Sequence, residues 1–179
     1  MTDPATLAKE LGIRGFLKAD RGDHRGAIAD FTRALELDSS NTDLYYNRGI
    51  SRAAIGDYPG AIADFTQTIR ADPRSADAYY NRGLVYSITQ NRQAAIADFT
   101  QAIHIYEVHA MMNVLLGETP TIVPNSNLPY VYYNRGKAWS AAGVTLAGIT
   151  DLRRAALLAQ QTSDRTLVQL IQTELRTPP

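Results

Sequence analysis

Cysteine is absent from the 179 residues, which excludes disulfides, thiolate metal sites and a cysteine nucleophile. Charge of one sign is not in excess either, since 18 Lys and Arg balance 18 Asp and Glu. The long-range field by which nucleic-acid binders collect phosphate is therefore lacking, and no nucleic-acid partner is expected. Nowhere do about 18 apolar residues run uninterrupted, the length that spans a bilayer, so membrane insertion is not expected. The opening Met1-Thr2-Asp3-Pro4 has neither the basic residues nor the apolar stretch of a secretory signal, and the expected location is the cytoplasm. Histidine is scarce: His104 and His109 stand five residues apart, about 140° around a helix, unlike the four-residue spacing of paired metal ligands. Gly12, Gly15 and Gly22 fall at helix punctuation and do not form a phosphate loop between strand and helix. No metal, no cofactor and no enzymatic activity are expected.

What the chain has is internal repetition. The string AIADFT starts at Ala27, Ala61 and Ala95, with a spacing of 34 residues both times. A second string, YYNRG, starts at Tyr45, Tyr79 and Tyr132, so its steps are 34 and 53 residues. A degenerate copy of the first string, Gly148-Ile149-Thr150-Asp151-Leu152, also lies 53 residues beyond its predecessor. Both strings thus place one 19-residue insertion in the same interval, and the register is fixed.

Within each period apolar residues recur at three- and four-residue steps twice over, as in Leu44, Tyr45, Gly49 and Ala53, then Ala61, Ile62, Phe65 and Ile69. Each period is predicted to be a pair of antiparallel helices. Gly22, Gly56 and Gly143 are placed to end first helices, Asp23, Asp57 and Asn91 to cap second helices, and Asp3 with Pro4 to open the first one. One pair cannot bury its apolar face alone, so the pairs are expected to stack.

This pattern resembles the tetratricopeptide repeat family, whose unit is a 34-residue helix-turn-helix with small residues at positions eight and twenty and an aromatic at twenty-four. Position eight is Gly15, Gly49, Gly83 and Gly136, position twenty is Ala27, Ala61, Ala95 and Gly148, and position twenty-four is Phe31, Phe65, Phe99 and Leu152. The repeats then run 8–41, 42–75, 76–109 and 129–162, with an insertion at 110–128 and a capping helix at 163–176, in one domain, 1–179. The resemblance implies an all-α fold, a right-handed superhelical solenoid with a C-terminal capping helix. Leu167, Leu170, Ile171 and Leu175 are expected on the inner face of that cap, opened by Ser163 or Asp164. The YYNRG and AIADFT strings are in a style common in bacterial, especially cyanobacterial, members.

In this family positions two, five, six, nine, twelve and thirteen of the first helix line a concave groove. They give Asp43 and Asp77 at position two, Tyr46, Tyr80 and Tyr133 at position five, Asn47, Asn81 and Asn134 at position six, and Ile50, Leu84 and Ile88 as an apolar floor. The resemblance thus implies a protein-protein interaction module or scaffold. Its groove would hold an extended, mildly basic peptide segment of a partner, with the amides pairing to the peptide backbone and the tyrosines contacting side chains. A second reading makes the asparagines braces between helices. Tyr45, Tyr79 and Tyr132 are expected in the core, and Arg14, Arg48, Arg82 and Arg135 are expected to pair with Asp30, Asp64, Asp98 and Asp151 within or between repeats. A chaperone-tail clamp is not expected, because its positions hold Gly12, Phe16, Asp77 and Asn81, with no cation.

The insertion departs from the family. Tyr106, Ala110 and Val114 make one stripe with Met111 and Leu115 beside it, so the second helix of the third repeat is expected to continue to about Leu116. Met111, Met112, Leu115, Ile122 and Val123 either pack on the fourth repeat or groove, or dock a partner or a second copy of the chain. The alternative function is therefore a self-associating structural protein, or an assembly factor for a multi-subunit complex.

Overall fold

The two repeated strings are a wiring diagram for helix pairs. The computed structural model describes residues 3–116 and 127–176. Among them the chain is all helical: α1 (Pro4–Asp20), α2 (His24–Leu37), α3 (Thr42–Ala54), α4 (Tyr58–Ala71), α5 (Ala76–Ile88), α6 (Arg92–Leu115), α7 (Leu128–Ala141), α8 (Thr145–Gln161) and α9 (Arg165–Arg176). The helices fall into two compact bodies, 1–85 and 86–179, with the boundary inside α5.

Most letters of YYNRG and AIADFT have a physical task. The glycine lets the paired helix approach: a Cβ on Gly49 would sit 2.8 Å from the Phe65 ring, and one on Gly15 2.8 Å from Phe31. Those rings are buried, Phe31 among Leu11, Ala27, Ala34, Leu35 and Leu44 and Phe65 with Ala61 and Val85. The arginine spans the pair. Arg48 holds the two carboxylate oxygens of Asp64 at 2.9 and 2.8 Å, Arg14 those of Asp30 at 2.8 and 2.6 Å, and Arg135 those of Asp151 at 2.7 and 2.9 Å. This two-point fit is available to a planar guanidinium and not to an ammonium. The guanidinium of Arg14, with help from Lys18, holds the Asp30 carboxyl down at about 2. The first tyrosine lies beneath the same arginine, 5.6 Å from Arg48 to the Tyr45 ring and 5.4 Å from Arg135 to Tyr132.

The last letter of AIADFT joins successive repeats. Arg48 donates to the hydroxyl of Thr32 at 3.1 Å, Arg82 to Thr66 at 2.9 Å and Arg135 to Thr100 at 3.1 Å. Each arginine therefore grips its own repeat, the preceding one, or both. The Arg135 bond has a sequence separation of 35 where the other two have 16. The difference is the 19-residue insertion, so α7 docks on α6 in the register of an uninterrupted array.

Caps follow the expected punctuation. Asp3, Asp23, Asp57 and Asn91 accept from Thr6, Gly26, Gly60 and Ala94 amides, and Gly22, Gly56 and Gly143 have φ near +80°. The third repeat places Gln90 at φ +60° instead. Asp164, rather than Ser163, caps α9 by accepting from the Leu167 amide at 2.9 Å. The inner face of α9 is narrower than expected: Leu167 and Ile171 are buried, whereas Leu170 and Leu175 are exposed. Residues 167 and 171 make one stripe, while 170 and 175 lie toward its margins. In the fourth repeat Val144 occupies the cap position of α8 and makes no side-chain hydrogen bond. Val144→Asp is expected to raise stability by about 1 kcal/mol, the usual worth of an N-cap, read as a higher urea midpoint; no gain would show the α8 amides to be satisfied already.

Candidate functional site

The face built by positions two, five, six and nine appears in both bodies with different chemistry. In the N-terminal body it lies on α3 and α5. Asn47 donates to the Asp43 carbonyl at 2.8 Å, and Asn81 donates to the Asp77 carbonyl at 2.9 Å and to the Tyr46 hydroxyl at 3.0 Å. Each asparagine thus bonds one turn back along its own helix, which fixes the amide rotamer before any ligand arrives. Both asparagines are half-buried, and Asp43 and Asp77 are exposed beside them. The Tyr46 ring packs on Phe65 at 6.0 Å between centroids, and burial, with Asp77 nearby, pushes its hydroxyl up to about 12. Tyr46 therefore remains a neutral hydroxyl that links α3 to α5. Tyr80 and Leu84 are half-buried, and Ile50 is exposed. The first repeat adds apolar surface outside the asparagine ladder: Ile13 and Phe16, at positions six and nine, are among the most exposed large apolar side chains of this body.

In the C-terminal body Asn134 repeats the back-bond, donating to the Tyr130 carbonyl at 2.9 Å. It lines a cavity of about 360 Å³ together with Ser87, Ile88, Gln90, Arg92 and Lys137. Ile88 is exposed, as a floor residue should be. Tyr133 is placed differently from its counterparts. It is buried, bonds Glu174 of α9 through its hydroxyl at 3.3 Å and lies beneath Lys137, 5.4 Å from ring centroid to ammonium. The capping helix covers it, so it offers little area to a ligand. Lys137 pairs with the same Glu174 at 3.2 Å, and the carboxylate and the Tyr133 hydroxyl outweigh desolvation to raise its pKa. The register already placed Lys137 at position nine; the recurrence of apolar residues there in the second and third repeats masked it. Tyr132 is buried as expected, while Tyr45 and Tyr79 are half-buried.

The extended end of α6 forms a separate surface. Met111, Met112, Val114, Leu115 and Leu116 are all about half exposed or more, so among the described residues the fourth repeat does not cover them. Ile122 and Val123 lie outside the described residues. Among the described residues no group of three His, Cys, Asp or Glu could hold a metal ion, and no helix is long and apolar enough to cross a membrane.

Paired helices in a 34-residue register, joined by a repeated Arg-Asp-Thr linkage, define a helical-repeat solenoid. A tetratricopeptide repeat profile matches residues 46–110 and a TPR repeat profile matches residues 17–56. Together they span more than half of the sequence, and the chain belongs to the tetratricopeptide repeat family. No curated protein matches it. Among solved structures it is similar to MamA, with a TM-score of 0.74 and 21% identity over 88% of this chain and 81% of that one. It is also similar to the first TPR domain of Spaghetti (RPAP3) bound to the HSP90 peptide SRMEEVD, with a TM-score of 0.63 and 18% identity over 78% and 95% of the two chains. A third likeness is to the TPR2B domain of yeast Sti1 in a pHsp70 complex, with a TM-score of 0.63 and 20% identity over 75% and 97%. At these identities the likeness is one of fold.

Proposed function

We propose that the chain is a non-catalytic, cytoplasmic interaction module whose four repeats hold an extended segment of a partner protein on the first-helix face. The observation that carries this reading is the fixed orientation of Asn47, Asn81 and Asn134, each tied one turn back along its own helix. An amide held in one rotamer pairs with a peptide backbone at little entropic cost. Tyr46 and Tyr80 flank the amides with rigid area, and Ile13, Phe16, Ile50 and Ile88 supply exposed apolar contacts. The similar fold holds a peptide in the Spaghetti (RPAP3) structure and a pHsp70 partner in the Sti1 structure, which supports a partner-binding use of this fold.

The triple variant Asn47→Ala, Asn81→Ala, Asn134→Ala tests it. Three lost hydrogen bonds at roughly 1 kcal/mol each weaken binding more than tenfold. A partner recovered from source-cell lysate by the wild type is expected to be absent with the triple variant, while melting stays within a few degrees. Undiminished capture, or a fold lost together with capture, would overturn the reading.

The exposed end of α6 favours a second reading, self-association through Met111, Met112 and Leu115. Light scattering decides it: a dimer that becomes monomeric on Met111→Ser with Leu115→Ser assigns that surface to a second copy, and a monomeric wild type removes it.

A further inference from the structure

The first repeat exposes the face on which later repeats receive their predecessors. Positions three and ten of the first helix lie on that face: Leu44 and Ser51 in α3, Ala78 and Val85 in α5, and Val131 and Ala138 in α7 are all buried. Leu44 packs into the first-repeat cluster around Phe31, and Val85 packs with Ala61 and Phe65 of the second. In α1 the same positions hold Glu10, which is exposed, and Leu17, which is 46% exposed. Position seven changes likewise, the side chain being 59% exposed in Arg14 against 12% in Arg48 and 17% in Arg135.

This α1 face has a seven-residue pattern. Asp3, Glu10 and Leu17 alternate with Leu7, Arg14 and Arg21 at four- and three-residue steps, within about 80° of one another around the helix. Asp3, Glu10, Arg14 and Arg21 are exposed and Leu7 is half-buried. Acid occupies the first half of the stripe and base the second. Laid antiparallel on a copy of itself, with a twofold axis between Glu10 and Arg14, the stripe pairs Glu10 with Arg14, Leu7 with Leu17 and Asp3 with Arg21, each twice. A parallel arrangement would set every charge against its own kind.

We propose that α1 docks antiparallel on α1 of a second copy, joining two arrays by their first repeats. The chain already uses the contact this needs. Nη1 of Arg48, Arg82 and Arg135 crosses to a threonine of the preceding repeat, whereas Nε and Nη2 of Arg14 are taken by Asp30. Nη1 of Arg14 is thus the group placed to cross, and Glu10 of the second copy brings it a carboxylate where a preceding repeat would bring a hydroxyl. Ile13, 63% exposed, flanks the stripe beside the axis and adds apolar area. Lys18, on the other margin, is held by Asp30 at 2.8 Å. One helix pair is a small interface, so affinity in the micromolar range is expected. The proposal depends neither on the groove reading nor on the α6 surface.

Sedimentation velocity on the full chain from about 1 to 500 μM is expected to show a reversible dimer that weakens with salt. Glu10→Arg sets cation against cation at both central pairs and is expected to weaken the dimer at least tenfold with melting unchanged. Met111→Ser with Leu115→Ser is expected to leave it intact. Register is read from single thiols, because the chain has no cysteine of its own. Asp3→Cys mixed with Arg21→Cys is expected to give a disulfide-linked dimer on mild oxidation. Each variant alone is expected to stay unlinked, since like ends lie about 27 Å apart along an antiparallel pair. A monomer throughout the concentration range, a dimer lost only with the Met111 and Leu115 variant, or thiols that link to their own kind would overturn the proposal.

Discussion

Gly49→Leu is expected to lower stability by more than about 3 kcal/mol. A single Cβ at Gly49 would already lie 2.8 and 3.0 Å from Cε1 and Cδ1 of Phe65. Phe65 is 1% exposed and held between Ala61 and Val85, so the ring has nowhere to turn. Overpacking by one or two methylenes costs about 1–3 kcal/mol, and leucine adds four carbons against the Phe65 ring. Gly49→Ala separates the terms, because the helix gains up to about 1 kcal/mol on losing glycine against the same clash, leaving a smaller net loss. Urea unfolding of the two variants measures the difference. A cost below about 1 kcal/mol for leucine would mean that α3 and α4 slide apart freely, and the 34-residue recurrence of glycine would need another cause.

The second large effect is electrostatic. Asp64→Ala is expected to cost about 3–5 kcal/mol, the range for removing one member of a buried ion pair. Asp64 is 2% exposed and satisfies two cations, Arg48 and Arg52, at 2.8 and 2.9 Å. Without it Arg48 loses the carboxylate it pairs with, and Arg52 keeps only Asp57 at 3.5 Å. The same substitution should cost less at Asp151 and least at Asp30, because the exposed fraction of the partner side chain rises from 12% in Arg48 to 17% in Arg135 and 59% in Arg14. Water then compensates progressively more of the loss. Chemical denaturation of the three alanine variants gives the order, and an inverted order would mean that burial does not set the strength of these pairs.

The helix pairs, their register and the core were legible because the signals repeat. A chance glycine is uninformative, but glycine recurring in register, with Gly15, Gly49 and Gly136 set against Phe31, Phe65 and Leu152 of their own repeats, is not. Residues that occur once were not legible in the same way. Lys137 and Glu174 meet through the tertiary docking of α9, which no periodicity encodes, and the burial of Tyr133 follows from the same docking. Threonine at the end of AIADFT was visible three times in the sequence, yet its role depends on an arginine in the following repeat, a partner that a motif read within one repeat does not reveal. The overestimated inner face of α9 has a simpler origin: four leucines and isoleucines on a short helix look like one stripe, although only Leu167 and Ile171 are directed to the core.

The inter-repeat threonine bond also sets the fourth repeat apart from the first three. Thr32, Thr66 and Thr100 each accept from the arginine of the next repeat. The equivalent position of the fourth repeat holds Arg153, and a guanidinium has no acceptor to offer. An arginine set in the register of the earlier repeats would meet a second cation there instead of an acceptor, so the linkage that joins the first three repeats to their successors is not offered by the fourth.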